Sequence, residues 1–197
     1  MPKYKTIKNA TPKLGKNILV YFIENEKYFN RDNLYGEKTG DYPDNLERFA
    51  FYSQKTLELL KDEDFQPDII HCNDWQSALI PIYLKNLYQD DPFYKNTKTV
   101  LTIHNLAYQG LFPKSEFPKS GLPWDLFNIE ALEFYDKVNF LKGGMVFSDL
   151  ITTVSPTYSK EIQTKEFGCG LEGVLKKKAK SLVGILNGLD YRIWNPA

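Results

Sequence analysis

The sequence predicts a doubly wound α/β domain, Rossmann-like, on a parallel sheet, and three observations carry that expectation. Short apolar runs alternate with segments whose apolar residues recur at helical spacing, the pattern of crossover connections between parallel strands. The 197 residues are 42% hydrophobic and 15% aromatic, and a chain of this size buries roughly 70% of the surface its unfolded form exposes, enough for a core without staples. Polar side chains gather just after the carboxyl ends of the apolar runs, where open parallel sheets bind their ligands.

In chain order, residues 17–23 (NILVYFI) read as a strand. Residues 44–60 carry apolar residues at 46, 49, 50, 57 and 60, which is helical spacing, with Asp44 and Glu47 as a capping pair. Pro67 and Asp68 punctuate before a short buried strand at 68–72 (DIIHC). Asp74 is a good N-cap for an apolar helix through Leu87, with Pro81 tolerable near the first turns. The β-branched run 98–103 (KTVLTI) predicts another strand. Residues 105–128, rich in Pro, Gly and aromatics, are too long for an ordinary connection and predict a packed irregular excursion. A helix is expected from 129 to about 149, a strand at 149–155, and a helix from Pro156 to about 163. A Gly-rich stretch (167–173), a short basic helix and a last strand at 182–188 (LVGILNG) complete the pattern.

Composition narrows the function classes. Twenty-five basic residues balance twenty-five acidic ones, which argues against a protein held to nucleic acid by bulk charge. No run approaches the roughly twenty apolar residues of a membrane span, and the basic start at 1–17 lacks the apolar core of a secretory signal. Cys72 and Cys169 cannot form a disulfide framework and have no C-x-x-C partner, so a reducing compartment is expected.

The chemistry should sit at the strand ends. After DII (68–70) come His71, Cys72, Asn73, Asp74 and Trp75; after LTI (101–103) come His104 and Asn105; after ITTV (151–154) come Ser155 and Pro156; after GIL (184–186) come Asn187, Gly188 and Asp190. This convergence predicts a cleft for a polar, multi-hydroxyl ligand. Each member also has a plain structural reading. His71 and His104, the only two histidines, commonly serve as hydrogen-bonded structure. An isolated Asp at position 74 caps a helix, and Asn187-Gly188 is first of all a turn. Lys142-Gly143-Gly144 lacks Walker spacing and a preceding strand, so small residues packing a helix are expected. Neither a Ser-His-Asp order, a metal-ligand cluster nor G-x-G-x-x-G is present, and the missing glycine fingerprint disfavours a dehydrogenase.

Whole segments, however, resemble one family. HCNDWQSALIPIYL (71–84), TIHNLAYQGLFP (102–113), GLPWDLFN (121–128), LEFYDKVNFLKGG (132–144), ITTVSPTYSKEI (151–162), FGCGLEGVL (167–175) and GILNGLDYRIWNP (184–196), with YFNRDNLYG (28–36), are similar to the N-terminal catalytic domain of bacterial glycogen synthases and plant starch synthases. The resemblance implies the N-terminal half of a GT-B glycosyltransferase, residues 1–197 being part of that domain and the C-terminal domain lying outside the chain. It implies transfer of glucose from ADP-glucose to the non-reducing end of an α-1,4-glucan, with retention and without a metal or other cofactor. The non-catalytic alternative is a glucan-binding or scaffold module.

By the same resemblance, His104 matches the catalytic-site histidine of the T-[IV]-H-N motif, and Asp74 and Trp75 match the D-W pair on the glucose and acceptor side. Asn105 and Asn187 match asparagines that bind sugar hydroxyls, and Tyr35 an aromatic of the same pocket. Some relatives carry a His after that Trp, where this chain has Gln76. The residue types suit the reaction: an oxocarbenium-like state needs lone pairs near the anomeric carbon and hydrogen bonds that strengthen there. A neutral His can donate to a hydroxyl through one nitrogen, and Trp offers an apolar platform. The family's Lys-x-Gly-Gly loop has no match in this chain, and neither have the C-terminal residues that neutralise the diphosphate, so the chain alone is expected to be inactive. Without the first strands of the family's domain, an unpaired sheet edge is expected. The resemblance places the protein in a bacterial cytoplasm, or in a plastid if it comes from a plant or alga.

Overall fold

The computed structural model describes residues 4–7 and 18–195, with side chains from residue 18 onward. The remainder of the basic stretch 1–17, and Pro196 at the end of the last matching motif, lie outside the described residues. The strands are β1 (Tyr4–Ile7), β2 (Val20–Ile23), β3 (Gly36–Glu37), β4 (Gly40–Asp41), β5 (Ile69–Asn73), β6 (Lys98–Ile103), β7 (Leu111–Pro113), β8 (Glu133–Phe134), β9 (Lys137–Asn139), β10 (Leu150–Thr153) and β11 (Leu182–Gly184). The helices are α1 (Glu26–Phe29), α2 (Asn45–Asp62), α3 (Asp74–Ser77), α4 (Leu79–Asn86), α5 (Phe140–Phe147), α6 (Pro156–Glu161) and α7 (Glu172–Lys177).

The organising element is a four-stranded parallel sheet in the order β11-β10-β6-β5. Sequence order and spatial order agree, so each crossover steps the same way. Right-handed crossovers that all step one way place their helices on one face, which is one half of a doubly wound arrangement. That face carries Ile70, Cys72, Leu101, Ile103 and Ile151, all buried beneath α3, α4, α5 and α7. The helix α2 adds Leu46, Ala50 and Leu57 to the same core, the 3.6-residue repeat read from the sequence. On the opposite pleat, Ile69 is 59% exposed and β5 is the edge of the sheet among the described residues, matching the expected open edge.

Gly143 and Gly144 are packing residues, as expected. A Cβ on Gly143 would come within 2.7 Å of Ile82 Cδ1, and one on Gly144 within 3.0 Å of the Ala78 carbonyl oxygen, so α5 lies closely on α3 and α4. Both cysteines are free; burial pushes the Cys72 thiol up to about 12, so it is no nucleophile near neutral pH.

Several expectations need correction. The strand at 17–23 is shorter (β2) and pairs antiparallel with β1, outside the parallel sheet. The helix expected from 129 begins only at Phe140. Residues 133–139 form a hairpin, β8–β9, whose two turn residues Tyr135 and Asp136 have φ of 49° and 59°. Such turns usually contain Gly; here the Glu133 carboxylate accepts from the Asp136 N–H at 2.7 Å. Asp44 does flank α2 but makes no side-chain cap, because Arg31 takes its carboxylate at 2.5 and 2.8 Å and holds its pKa below the usual range. Glu47 is held by Lys27 and Tyr28 instead of closing a capping box. The last strand stops at Gly184, and 105–128 contains β7 and two 3₁₀ segments.

Candidate active site

The site forms where β5 and β6 end. Register places Asn73 beside Thr102, and the first residues past the two strand ends, Asp74 after β5 and His104 after β6, emerge together at the carboxyl edge. Asp74 does not cap the helix it begins; Asn73 is the N-cap residue, and Asp74 has φ 54°. The left-handed region costs a non-Gly residue of order 1–2 kcal/mol, least for Asp and Asn. The turn is held by Ser77, whose hydroxyl accepts from the Asn73 N–H (2.7 Å) and donates to the Asn73 carbonyl (2.8 Å).

This conformation turns the Asp74 carboxylate toward β6. Oδ1 accepts from the His104 backbone N–H at 2.8 Å and Oδ2 lies 2.9 Å from His104 Nδ1. An ionised carboxylate only accepts, so Nδ1 carries the proton. The donor nitrogen of a neutral His104 is thus committed to Asp74, and Nε2, which makes no hydrogen bond among the described residues, is left as the acceptor of the ring. The imidazole is exposed at the cleft, its side chain 45% accessible.

Both residues line a cavity of roughly 600 Å³. Tyr35, Trp75 and Asn105 line it as well, so five of the six expected residues meet there. Asn105 Oδ1 accepts from the Ala107 N–H at 3.0 Å, which turns the chain after β6. Trp75 is only 9% exposed; its ring packs edge-on against Phe49 (centroids 4.6 Å) and near Phe112 and Tyr35. It therefore anchors the cavity wall more than it offers a platform. Gly110 is required behind it: φ is 64°, and a Cβ would lie 2.6 Å from Trp75 Cε3. Asn187 is exposed and outside this lining.

The structure adds Asp41, Asn45, Gln76 and Tyr108 to the lining. Asn45 and Arg48 share a helix with an ordinary amphipathic pattern, which concealed them. Buried Arg48, 4% exposed, donates to the carbonyls of Leu34 and Tyr28 and to Asn45 Oδ1, and Asn45 Nδ2 donates to the Tyr35 carbonyl at 2.8 Å. Burial, and secondarily Arg31, lowers the Arg48 pKa. These bonds fix the 31–42 loop that carries Tyr35. Among the described residues no Lys or Arg lines the cavity, so this lining offers donors, acceptors and aromatic edges suited to hydroxyls, and among these residues no cation for a phosphate. Among the described residues no cluster of three His, Cys, Asp or Glu is placed to hold a metal.

Residues 1–177 match the family model described as the starch synthase catalytic domain. This chain belongs to that family. Among its relatives are a glycogen synthase of Thermodesulfovibrio yellowstonii, 54% identical over 90% of this chain and 36% of its own length, and glycogen synthase 2 of Geobacter sulfurreducens, 55% identical over 92% and 37%. The chain thus spans little more than a third of the curated family members it matches. The catalytic domain of starch synthase IV from Arabidopsis thaliana, solved bound to ADP and acarbose, superposes with a TM-score of 0.80 at 38% identity, over 92% of this chain and 37% of that one. The family fold expected from the sequence motifs is therefore the fold observed.

Proposed function

We propose that this chain is part of a glycosyltransferase that moves glucose from ADP-glucose to the non-reducing end of an α-1,4-glucan with retention of configuration, and that it supplies the glucose-contacting wall of the cleft. The observation that carries the reading is the Asp74–His104 pair: a strained turn spends stability to hold an imidazole with one nitrogen facing a hydroxyl-matching cavity. A mere binding platform has no need of that pair, and the burial of Trp75 leaves a glucan-binding module without its main sugar platform.

In this reading His104 Nε2 accepts from a glucose hydroxyl, and the Asp74 carboxylate keeps the ring oriented and its electron density raised as positive charge develops at the anomeric carbon. Asn105 can donate to and accept from neighbouring hydroxyls, and Tyr35 closes the side. The diphosphate must be neutralised by groups outside this lining, which the resemblance assigns to the Lys-x-Gly-Gly loop and the C-terminal domain. Losing that neutralisation costs on the order of several kcal/mol of barrier, so this chain alone should show no useful turnover. No metal or organic cofactor is expected. The proposed location is a bacterial cytoplasm, with a plastid as the alternative for a plant or alga; among the described residues no helix is long and apolar enough to cross a membrane.

The test is calorimetric titration of the purified chain with maltohexaose and, separately, ADP-glucose. Binding of the oligosaccharide with weak or absent donor binding is expected. Tight ADP-glucose binding would overturn the division of labour, and no binding of either would remove the sugar assignment.

A further inference from the structure

Tyr35 stands where two cavities meet. One is the roughly 600 Å³ space beside His104; the other, roughly 630 Å³, lies between β2, α2 and β5 and is lined by Phe22, Tyr52, Ile70 and His71 among others. Tyr35, Asp74 and Gln76 border both.

The main chain of the Tyr35 loop is fixed independently of its ring. The Tyr35 carbonyl accepts from Asn45 Nδ2 at 2.8 Å and from the Tyr42 N–H at 2.9 Å, and the preceding carbonyl is forked by Arg48 at 3.1 Å. The ring has no comparable restraint. It is 41% exposed, and its centroid is 6.0 Å from Trp75 and 6.1 Å from Phe49, tilted in both cases. An exposed aromatic ring so loosely packed changes rotamer in picoseconds to nanoseconds unless something polar holds its tip. Gln76 Nε2 does so, donating to the Tyr35 hydroxyl at 2.9 Å.

The geometry points to Gln76 as a positioning residue: its side-chain amide, by holding the Tyr35 hydroxyl, keeps that ring upright as the partition between the two cavities and so sets the width of the proposed sugar site. The inference rests on the sugar reading of that site only for its functional consequence; the partition itself is a property of the free chain. Gln76 sits one turn-residue from Trp75 on α3, so the same short helix that starts with the strained Asp74 places the carboxylate, the aromatic anchor and the latch together. An amide suits a latch that must not titrate, because it stays neutral and can always donate. Released, the ring is free to swing into either space, and the two cavities become one trench too wide to grip a single pyranose unit.

Two measurements test this on the chain as it is. The first is the side-chain order of Tyr35 by NMR on a ¹³C-tyrosine-labelled sample, its signals assigned by their loss in Tyr35→Phe. A single ordered rotamer is expected in the parent and rotamer averaging in Gln76→Leu, with order regained in Gln76→His, which again offers an N–H. The second is maltohexaose affinity. Gln76→Leu and Tyr35→Phe should each weaken it about three- to tenfold, the loss of one hydrogen bond, with no further loss in the double variant and recovery to within about twofold in Gln76→His. An unchanged Tyr35 ring in Gln76→Leu overturns the latch, whatever happens to affinity, since any affinity loss would then mean direct contact between Gln76 and sugar. Additive losses in the double variant overturn it too. If the parent binds no maltohexaose, the sugar reading fails while the ring-order result still decides the partition.

Discussion

The two histidines occupy adjacent strands and have opposite fates. His71 lies inside β5 on the open pleat, its Nε2 2.6 Å from Thr102 Oγ1, which in turn meets Thr152 Oγ1 at 2.6 Å. It ends a row of hydroxyls across three strands, and every group in that row can both donate and accept. His104 lies one step past β6, where a carboxylate that can only accept grips its main chain and its ring together. Hydroxyl partners leave an imidazole indifferent to tautomer, whereas a carboxylate fixes it and turns the far nitrogen into a defined acceptor. Position relative to the strand end, more than residue type, decides how each imidazole is held.

That contrast can be broken by experiment. The largest effect is expected from His104→Ala introduced into a complete synthase carrying this segment: turnover should fall about a hundredfold or more with circular dichroism unchanged. A near-normal rate would remove His104 from the catalytic assignment. Asp74→Asn should follow at about tenfold, because Asn tolerates the left-handed turn and can still accept from the His104 N–H, but its amide nitrogen facing Nδ1 would move the ring proton to Nε2. An effect as small as twofold would mean that the tautomer is unimportant.

The same substitution at the other site sharpens the comparison. His71→Ala removes one side-chain hydrogen bond, and should lower stability by about 1 kcal/mol, a shift of roughly 2–4 °C in melting temperature, with maltohexaose affinity unchanged within twofold. Smallest of all is the acid response of the loop that carries Tyr35. Arg31 holds the Asp44 pKa below its unfolded value, so the pair's contribution is fully present above about pH 4 and is lost as pH falls through the lower, folded-state value. The melting temperatures of the parent and Asp44→Asn should therefore differ at pH 6 and converge toward pH 3. A constant gap would mean that the pair contributes nothing through ionisation.

Much of this was legible because parallel strands announce themselves. The β-branched runs of β5, β6 and β10 and the polar residues that follow them led directly to His104, Asn105 and Asp74. What stayed hidden depends on partners distant in sequence. Asp74 before an apolar segment looks like a cap; only the pairing of β5 with β6, some thirty residues on, shows that its carboxylate is occupied elsewhere. The β8–β9 hairpin was read as helix because its turn residues, Tyr135 and Asp136, carry no Gly signal. Arg48 passes for a solvated position in an amphipathic helix, yet it is caged by main-chain carbonyls. The strand expected to run to 188 ends at Gly184, four residues early, and Asn187 lies in irregular chain beyond it, outside the cavity lining.

The grip of Asp74 on both atoms of His104 also works as a gauge of strand alignment. Successive residues of a strand point to opposite sides, so a slip of β5 against β6 by one position would offer the carboxylate to the wrong neighbour and swing the imidazole away. Correct pairing of the sheet and assembly of the Asp74–His104 corner are then a single event. A misaligned folding product could keep its secondary structure and lack this corner, which makes the proposed sugar binding, once measured, a stricter report of native topology than any spectrum of the backbone.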